Sequence, residues 1–291
     1  MKEVNVEKLS KEERIRLIRS DHWIAYPRAV AVLRHLEELF TWPSKQRMPN
    51  LLIVGPTNNG KSMIVEKFRR EHDVPSSSRS GHEVIPVVVV QTPSVPTVGR
   101  FYTLLLTDLG APVRKAVKIA DLEQLALSVL RSVEAKILVI DELHNILAGR
   151  SDTRKEFLNL LRFLGNELRI PIVGVGTRDA YLAIRSDEQL ENRFEPMPLP
   201  VWEEGDELLS LLASFSAALP LKHESVIATE AMAKYILSRT EGTIGEIAKL
   251  ITAAALVAVE TGEEVINQKT LKLADYQSPS ERRRTFERLL S

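Results

Sequence analysis

The sequence contains no cysteine, so disulfides and thiolate metal centres are excluded, which suits a reducing cytoplasm. It carries no net charge: 39 lysines and arginines balance 39 aspartates and glutamates. No long-range field of one sign draws the molecule to nucleic acid or an anionic membrane, and any DNA contact must come from a local patch. Long apolar runs are missing as well. Residues 1–20 alternate charges with isolated leucine and isoleucine, offering no apolar core for a signal peptide, and no later run approaches the span of a bilayer. A membrane partner is not expected.

What is present is the balance of an ordinary folded chain. With 291 residues, 44% hydrophobic and 27% charged, it can build one substantial core and a smaller second domain. Lys2 to Ser20 sets Leu9, Ile15, Leu17 and Ile18 among charges and reads as an amphipathic arm. PRAVAVLRHLEELF then repeats apolar residues at helical spacing, with Pro27 suited to a first turn and Pro43 closing the segment. Short apolar runs at Leu51 to Val54, Val84 to Val90, Ile137 to Ile140 and Ile172 to Val175 have the pattern of buried parallel strands, and Met197 to Leu199 is a fifth candidate. Helical patterns lie between them at 62–71, 99–109, 122–133 and 154–168. This alternation predicts an α/β fold with a parallel sheet flanked by helices. Beyond Val201 the strand pattern ends, and stretches at 204–218, 229–240, 244–260 and 268–274 predict a small all-α domain. The expected division is 1–49 as helical arm and lead-in, 50–200 as core, 201–277 as helical domain, and 278–291 as a basic tail with Arg282, Arg283, Arg284 and Arg288.

Residues 55–62, GPTNNGKS, carry the chemistry. They fill the eight-position P-loop pattern and stand between a predicted strand and a predicted helix, the context the mechanism needs. Gly55, Pro56, Thr57, Asn58, Asn59 and Gly60 are placed to wrap backbone amides around phosphate oxygens, and the helix start adds partial positive charge. Lys61 is placed for the β and γ phosphates and Ser62 for magnesium. A second strand pattern ends in two acids, Asp141 and Glu142. Asp141 is expected to orient the magnesium shell, and Glu142 to polarise the attacking water. Taken alone, the two acids could also be an N-cap pair opening the next helix. His144 reads as a local polar contact. Together these motifs predict an ATPase using ATP and Mg2+.

With RMPNLLIVGPTNNGKS at 47–62, VIDELHNIL ending at Leu147 and GVGTRDA at 174–180 in place, the chain resembles the AAA+ ATPases. Within them it resembles the TniB transposition proteins, relatives of TnsC and MuB, from about Tyr26 to Ala274. The resemblance implies a P-loop AAA+ core with an all-α lid. It also implies that Thr177 senses the γ phosphate, a role compatible with a helix N-cap. Arg193, in LENRFEP, would be an arginine finger reaching the nucleotide of a neighbouring subunit, with Arg185 in reserve. The plain alternative for Arg193 is a surface ion pair with Glu191 or Glu195. Gln91 is placed to restrain Glu142 or is a plain strand-end glutamine, and Tyr26 and Pro27 are placed to pack near adenine or to act as a hydrophobic staple. The lid departs from the common pattern: EGTIGEIAKL has Gly245 near the place of a sensing arginine, and Lys249 only a turn later.

The resemblance further implies ATP-dependent assembly of a homo-oligomeric ring or filament on duplex DNA in the bacterial cytoplasm. That assembly would present the target to a DDE transposase and a targeting adaptor, with hydrolysis controlling disassembly. Candidate DNA contacts are Thr97, Arg100, Arg114, Lys115 and Lys118. Repeated along an assembly, such charges sum to a large salt-dependent backbone term despite zero net charge. A helicase-loader-like ATPase and an ATP-gated DNA-binding scaffold are the alternatives. The arginines of the tail are compatible with DNA binding, partner docking or a solvated helix.

Overall fold

The structure is a computed structural model that describes residues 6–74, 83–114 and 117–290. In chain order its helices are α1 (Lys11–Arg19), α2 (Pro27–Phe40), α3 (Lys61–Glu71), α4 (Val98–Asp108), α5 (Ile119–Ser132), α6 (Ser151–Leu168), α7 (Arg178–Arg185), α8 (Glu188–Glu191), α9 (Asp206–Ala218), α10 (Glu230–Thr240), α11 (Ile244–Thr261), α12 (Gln268–Leu273) and α13 (Pro279–Leu290). The strands are β1 (Asn50–Val54), β2 (Val87–Gln91), β3 (Ile137–Asp141), β4 (Ile172–Gly176) and β5 (Phe194–Pro198). The chain divides into two compact units. One comprises Ala31–Thr57 and Lys61–Pro200; the other comprises the chain up to Val30, Asn58–Gly60 and everything from Val201 onward.

The first unit is organised by a parallel sheet in the order β2-β3-β4-β1-β5. Val, Ile and Leu lead up to Asp141 in β3, and Ile and Val alternate with Gly174 and Gly176 toward the end of β4; both strands are buried throughout, as strands covered on two faces must be. Phe101, Tyr102 and Leu105 of α4, Leu122 and Leu130 of α5, and Phe157 and Leu161 of α6 pack into one core with Val88, Leu138 and Ile140. The rings of Phe101 and Phe157 meet edge to face at 5.3 Å. Truncating the fully buried Phe157 to alanine is a loss of about 3–5 kcal/mol. Because all five strands run one way, the sheet has two unlike ends. The P-loop leaves the C-terminal end of β1, whereas at the other end the Asn50 N–H donates to the Arg193 carbonyl at 3.0 Å.

Two strands start elsewhere than the sequence pattern indicates. β2 begins at Val87 rather than Val84: Ile85 donates to the Val133 carbonyl, and Pro86 has no N–H to give. β5 runs from Phe194 rather than Met197 and contains Pro196 and Pro198. It is an edge strand, where prolines can turn their missing donor outward.

The second unit is helical. α11 is its apolar axis, burying Ile247, Leu250, Ile251, Ala254, Ala255, Ala258 and Val259 against neighbours that include α1, α10 and α12. A Ser10–Glu13 capping box starts α1, and Arg14 makes a bidentate ion pair with Glu264 in which both side chains are buried. The expected basic tail is the helix α13. Ser278 and Glu281 cap it reciprocally, at 3.1 Å and 2.7 Å, with Pro279 in its first turn. None of its residues is buried, and Phe286, Leu289 and Leu290 are exposed. Among the described residues no single helix is long and apolar enough to cross a membrane.

Candidate functional site

The P-loop turns where glycine permits it. Gly60 has φ +83°, which no β-carbon favours, and Lys61 begins α3 immediately after it. The Lys61 ammonium is buried and donates to the carbonyls of Gly55 and Pro56 at 2.8 Å and 2.6 Å. Burial lowers its pKa from the ordinary lysine value, while the negative charges of Asp141 and Glu142 oppose that shift. The ammonium is thereby fixed inside the loop where a polyphosphate would lie. On the next residue, the Ser62 hydroxyl donates to Asp141 Oδ2 at 3.1 Å, and the Glu142 N–H holds the other oxygen, Oδ1, at 2.7 Å. A hydroxyl and a carboxylate converging in this way form a hard-oxygen donor set that fits magnesium. Among the described residues no three His, Cys, Asp or Glu side chains gather to hold a metal by themselves. Such a set therefore suits an ion whose remaining ligands are phosphate and water oxygens.

Glu142 follows the end of β3 in a left-handed conformation, φ 54° and ψ 34°. Its Oε2 lies 3.1 Å from His144 Nε2, and the other ring nitrogen, Nδ1, is buried without a partner. Gln91 is exposed and stands opposite Asp141 in the β2–β3 register, so the contact made by the Glu142 carboxylate is with His144 and not with Gln91. The two acids are not a helix-opening cap pair, since Glu142 precedes a 3-10 turn and its side chain makes no cap hydrogen bond. Thr177 occupies the N-cap position of α7, but its hydroxyl makes no cap bond either.

Arg193 is partly buried at the strand end opposite the P-loop and donates to Asn166 Oδ1 at 2.9 Å. It pairs with neither Glu191 nor Glu195: Glu191 faces Arg185 at 3.2 Å, and Glu195 faces His35 at 3.7 Å. The ion-pair alternative is thus removed. Burial lowers the Arg193 pKa from its ordinary value, and the like charges of Arg47 and Arg162 add to this against Asp187. Arg193 opens onto a cavity of about 440 Å³ lined also by Lys45, Arg47, Met48, Pro49, Gln189 and Asn192. Lys45 lies outside the sequence motifs, and Arg47 opens the 47–62 motif without an assigned role.

The family description "Bacterial TniB protein" matches residues 14–204. The chain belongs to the TniB family. Among solved structures, this TniB protein is similar to the ORC2 protein of Aeropyrum pernix in its ADPNP-ADP complexes, with 15% identity, 88% of this chain and 70% of that one covered, and a TM-score of 0.60. Cdc6p of Pyrobaculum aerophilum is similar at 14% identity, with 89% and 70% covered and a TM-score of 0.59. The ORC1 protein of Aeropyrum pernix in complex with DNA follows at 16%, with 89% and 67% covered and a TM-score of 0.55. At these identities the likeness is one of fold, that of the AAA+ ATPases. No curated protein matches the sequence. The TniB chain has the fold of the AAA+ ATPases around its own P-loop at 55–62.

The remaining candidates of the TniB chain fall as follows. Tyr26 is buried and stacks edge to face on Trp202 at 5.2 Å, and a β-carbon at Gly60 would stand 3.2 Å from its hydroxyl. Burial pushes the Tyr26 pKa up to about 12. Pro27 is the exposed first residue of α2. Thr97 caps α4, its hydroxyl accepting the Arg100 N–H at 3.4 Å, so it is engaged in shaping that helix start. Arg100, Arg114 and Lys118 are exposed, and Lys115 lies outside the described residues. A β-carbon on Gly99 would touch Ile119 at 3.6 Å, which brings the start of α4, with Arg100, beside the start of α5, with Lys118. The sequence motifs also passed over Glu246 and Tyr276, and left the tail arginines unassigned. Arg282 is now committed to Glu246 at 2.8 Å.

Proposed function

We propose that this ATPase is a transposition regulator that assembles on duplex DNA in an ATP-dependent manner and presents that DNA to a DDE transposase. The observation that carries the assembly is the placement of Arg193. A five-residue strand separates its two ends by about 16 Å, a span greater than an arginine side chain. Arg193 therefore serves a nucleotide bound by a neighbouring copy, and a complete site needs two copies. In this reading Lys61 grips the β and γ phosphates, Glu142 takes the proton of the attacking water once freed from His144, and Thr177 contacts the γ phosphate. Ser62 and Asp141 would hold magnesium, which would supply positive charge to the phosphates. DNA contact is supported by the exposed Arg100, Arg114 and Lys118, and by the likeness of fold to an ORC1 protein in complex with DNA.

The test is electron microscopy of the purified protein with random-sequence duplex DNA, comparing a slowly hydrolysed ATP analogue, ADP and no nucleotide. Rings or filaments on DNA with the analogue alone are expected. Single copies under all three conditions would overturn the assembly reading and favour a helicase-loader-like ATPase that needs another protein.

A further inference from the structure

The tip of the P-loop is held by residues from far along the chain. Asn58, at φ 60°, offers its carbonyl to the Gly245 N–H at 3.0 Å, and its Nδ2 donates to Glu246 Oε1 at 3.2 Å. The next residue, Asn59, accepts the Ile244 N–H through Oδ1 at 3.2 Å. Glycine is required at 245, because a β-carbon there would overlap the Asn58 side-chain amide. The sensing arginine common in related lids could not occupy this place with Asn58 where it is.

The Glu246 carboxylate is buried, 5% exposed, and each oxygen is engaged. Oε1 also accepts from Arg282 at 2.8 Å and faces Lys249 at 3.4 Å, while Oε2 accepts the Tyr276 hydroxyl at 2.9 Å. Burial pushes the Glu246 pKa upward, but the hydrogen bonds from Arg282 and Tyr276, with the charge of Lys249, more than offset it. A buried carboxylate stays charged and in place only while such partners remain. Arg282 comes from α13, whose start is anchored by the Ser280 N–H on Glu241 Oε1 at 2.9 Å. The last helix of the chain thus reaches the P-loop through a single intervening side chain.

We propose that Glu246, Tyr276 and Arg282 form a latch that positions Asn58, so that α13 sets how tightly the P-loop holds nucleotide. Arg282 and Glu246 are positioning residues, and the proposal rests on residues 55–62 being the ATP site. The experiment is binding and release of a fluorescent ADP on the full-length protein, with ATPase kinetics, for Arg282→Ala, Asn58→Ala, their double mutant, Arg284→Ala and Lys61→Ala. The expected result for Arg282→Ala is on the order of tenfold weaker binding and faster release, with kcat at saturating ATP little changed. Asn58→Ala is expected to weaken binding and speed release to the same extent, and the double mutant to weaken binding no further, as for two residues acting in one chain of contacts. Arg284→Ala is expected to bind like the parent. Fully additive effects of Asn58→Ala and Arg282→Ala, or parental binding by Arg282→Ala, would overturn the latch. Parental binding by Lys61→Ala would instead overturn the P-loop reading itself, so the two failures are distinct.

Discussion

Arg193→Ala is expected to keep nucleotide binding and lose turnover by about a thousandfold or more, the size of effect that fingers of this kind supply. The structure adds a sharper expectation. Arg193 and Lys61 lie at opposite strand ends of one sheet, so a copy lacking Arg193 retains an intact P-loop and a copy lacking Lys61 retains an intact arginine. Mixing the two inactive variants should therefore restore activity. With equal amounts and random neighbours, half the loops and half the arginines are intact, giving about a quarter of parental turnover in a closed symmetric assembly. The assay is steady-state phosphate release at fixed total protein while the mixing ratio is varied, on duplex DNA and with saturating ATP. Activity should peak at equal proportions and vanish at either end. A mixture that stays inactive at every ratio, although each variant still assembles with the parent, would refute the placement of Arg193 on a neighbour's nucleotide.

Glu142→Gln should bind ATP with parental affinity and turn it over a hundred- to ten-thousand-fold more slowly, as calorimetry paired with phosphate release would show. Ser62→Ala and Asp141→Asn each remove one of the two oxygens that face one another, so both should raise the magnesium concentration needed for half-maximal turnover, read from a metal titration. Removing either partner of the buried Arg14–Glu264 pair, by Arg14→Ala or Glu264→Gln, should cost about 3–5 kcal/mol in urea unfolding. The hydrogen bond from Arg14 holds the Glu264 pKa below the ordinary glutamate value. The stabilisation is therefore fully present above the ordinary glutamate range and lost as pH falls through the lower folded value. The Arg14→Ala deficit should shrink over that acidic window, and a deficit independent of pH would remove the ion pair as its cause.

The P-loop and the acids at 141 and 142 were legible because the chemistry fixes both residue type and spacing, and because apolar strands announce them. β3 and β4 were legible for the same reason, being buried on both faces. β5 was displaced in the reading because Pro196 and Pro198 mask a strand that only an edge position tolerates. α13 carries apolar residues only toward its end, at Phe286, Leu289 and Leu290, although Ser278 and Glu281 around Pro279 spell a helix start. The pairs that tie distant segments were not readable at all. Asn58 and Glu246 are 188 positions apart and Arg14 and Glu264 are 250 apart, and each is unremarkable in its local sequence. The environment of Arg193 was half visible: the arginine stood in a telling motif, but the cations beside it at 45 and 47 reached it only through folding.

The one-way sheet also has an arithmetic consequence. If every working site joins the loop of one copy to the arginine of the next, an open row of copies always contains one fewer working site than copies. The terminal copy that presents its loop to solvent can load ATP and cannot spend it efficiently. Catalysis would then begin in the interior of a row and leave one end charged for longest, which gives a filament a built-in polarity of age. A closed ring has no such end, and all of its copies would discharge alike.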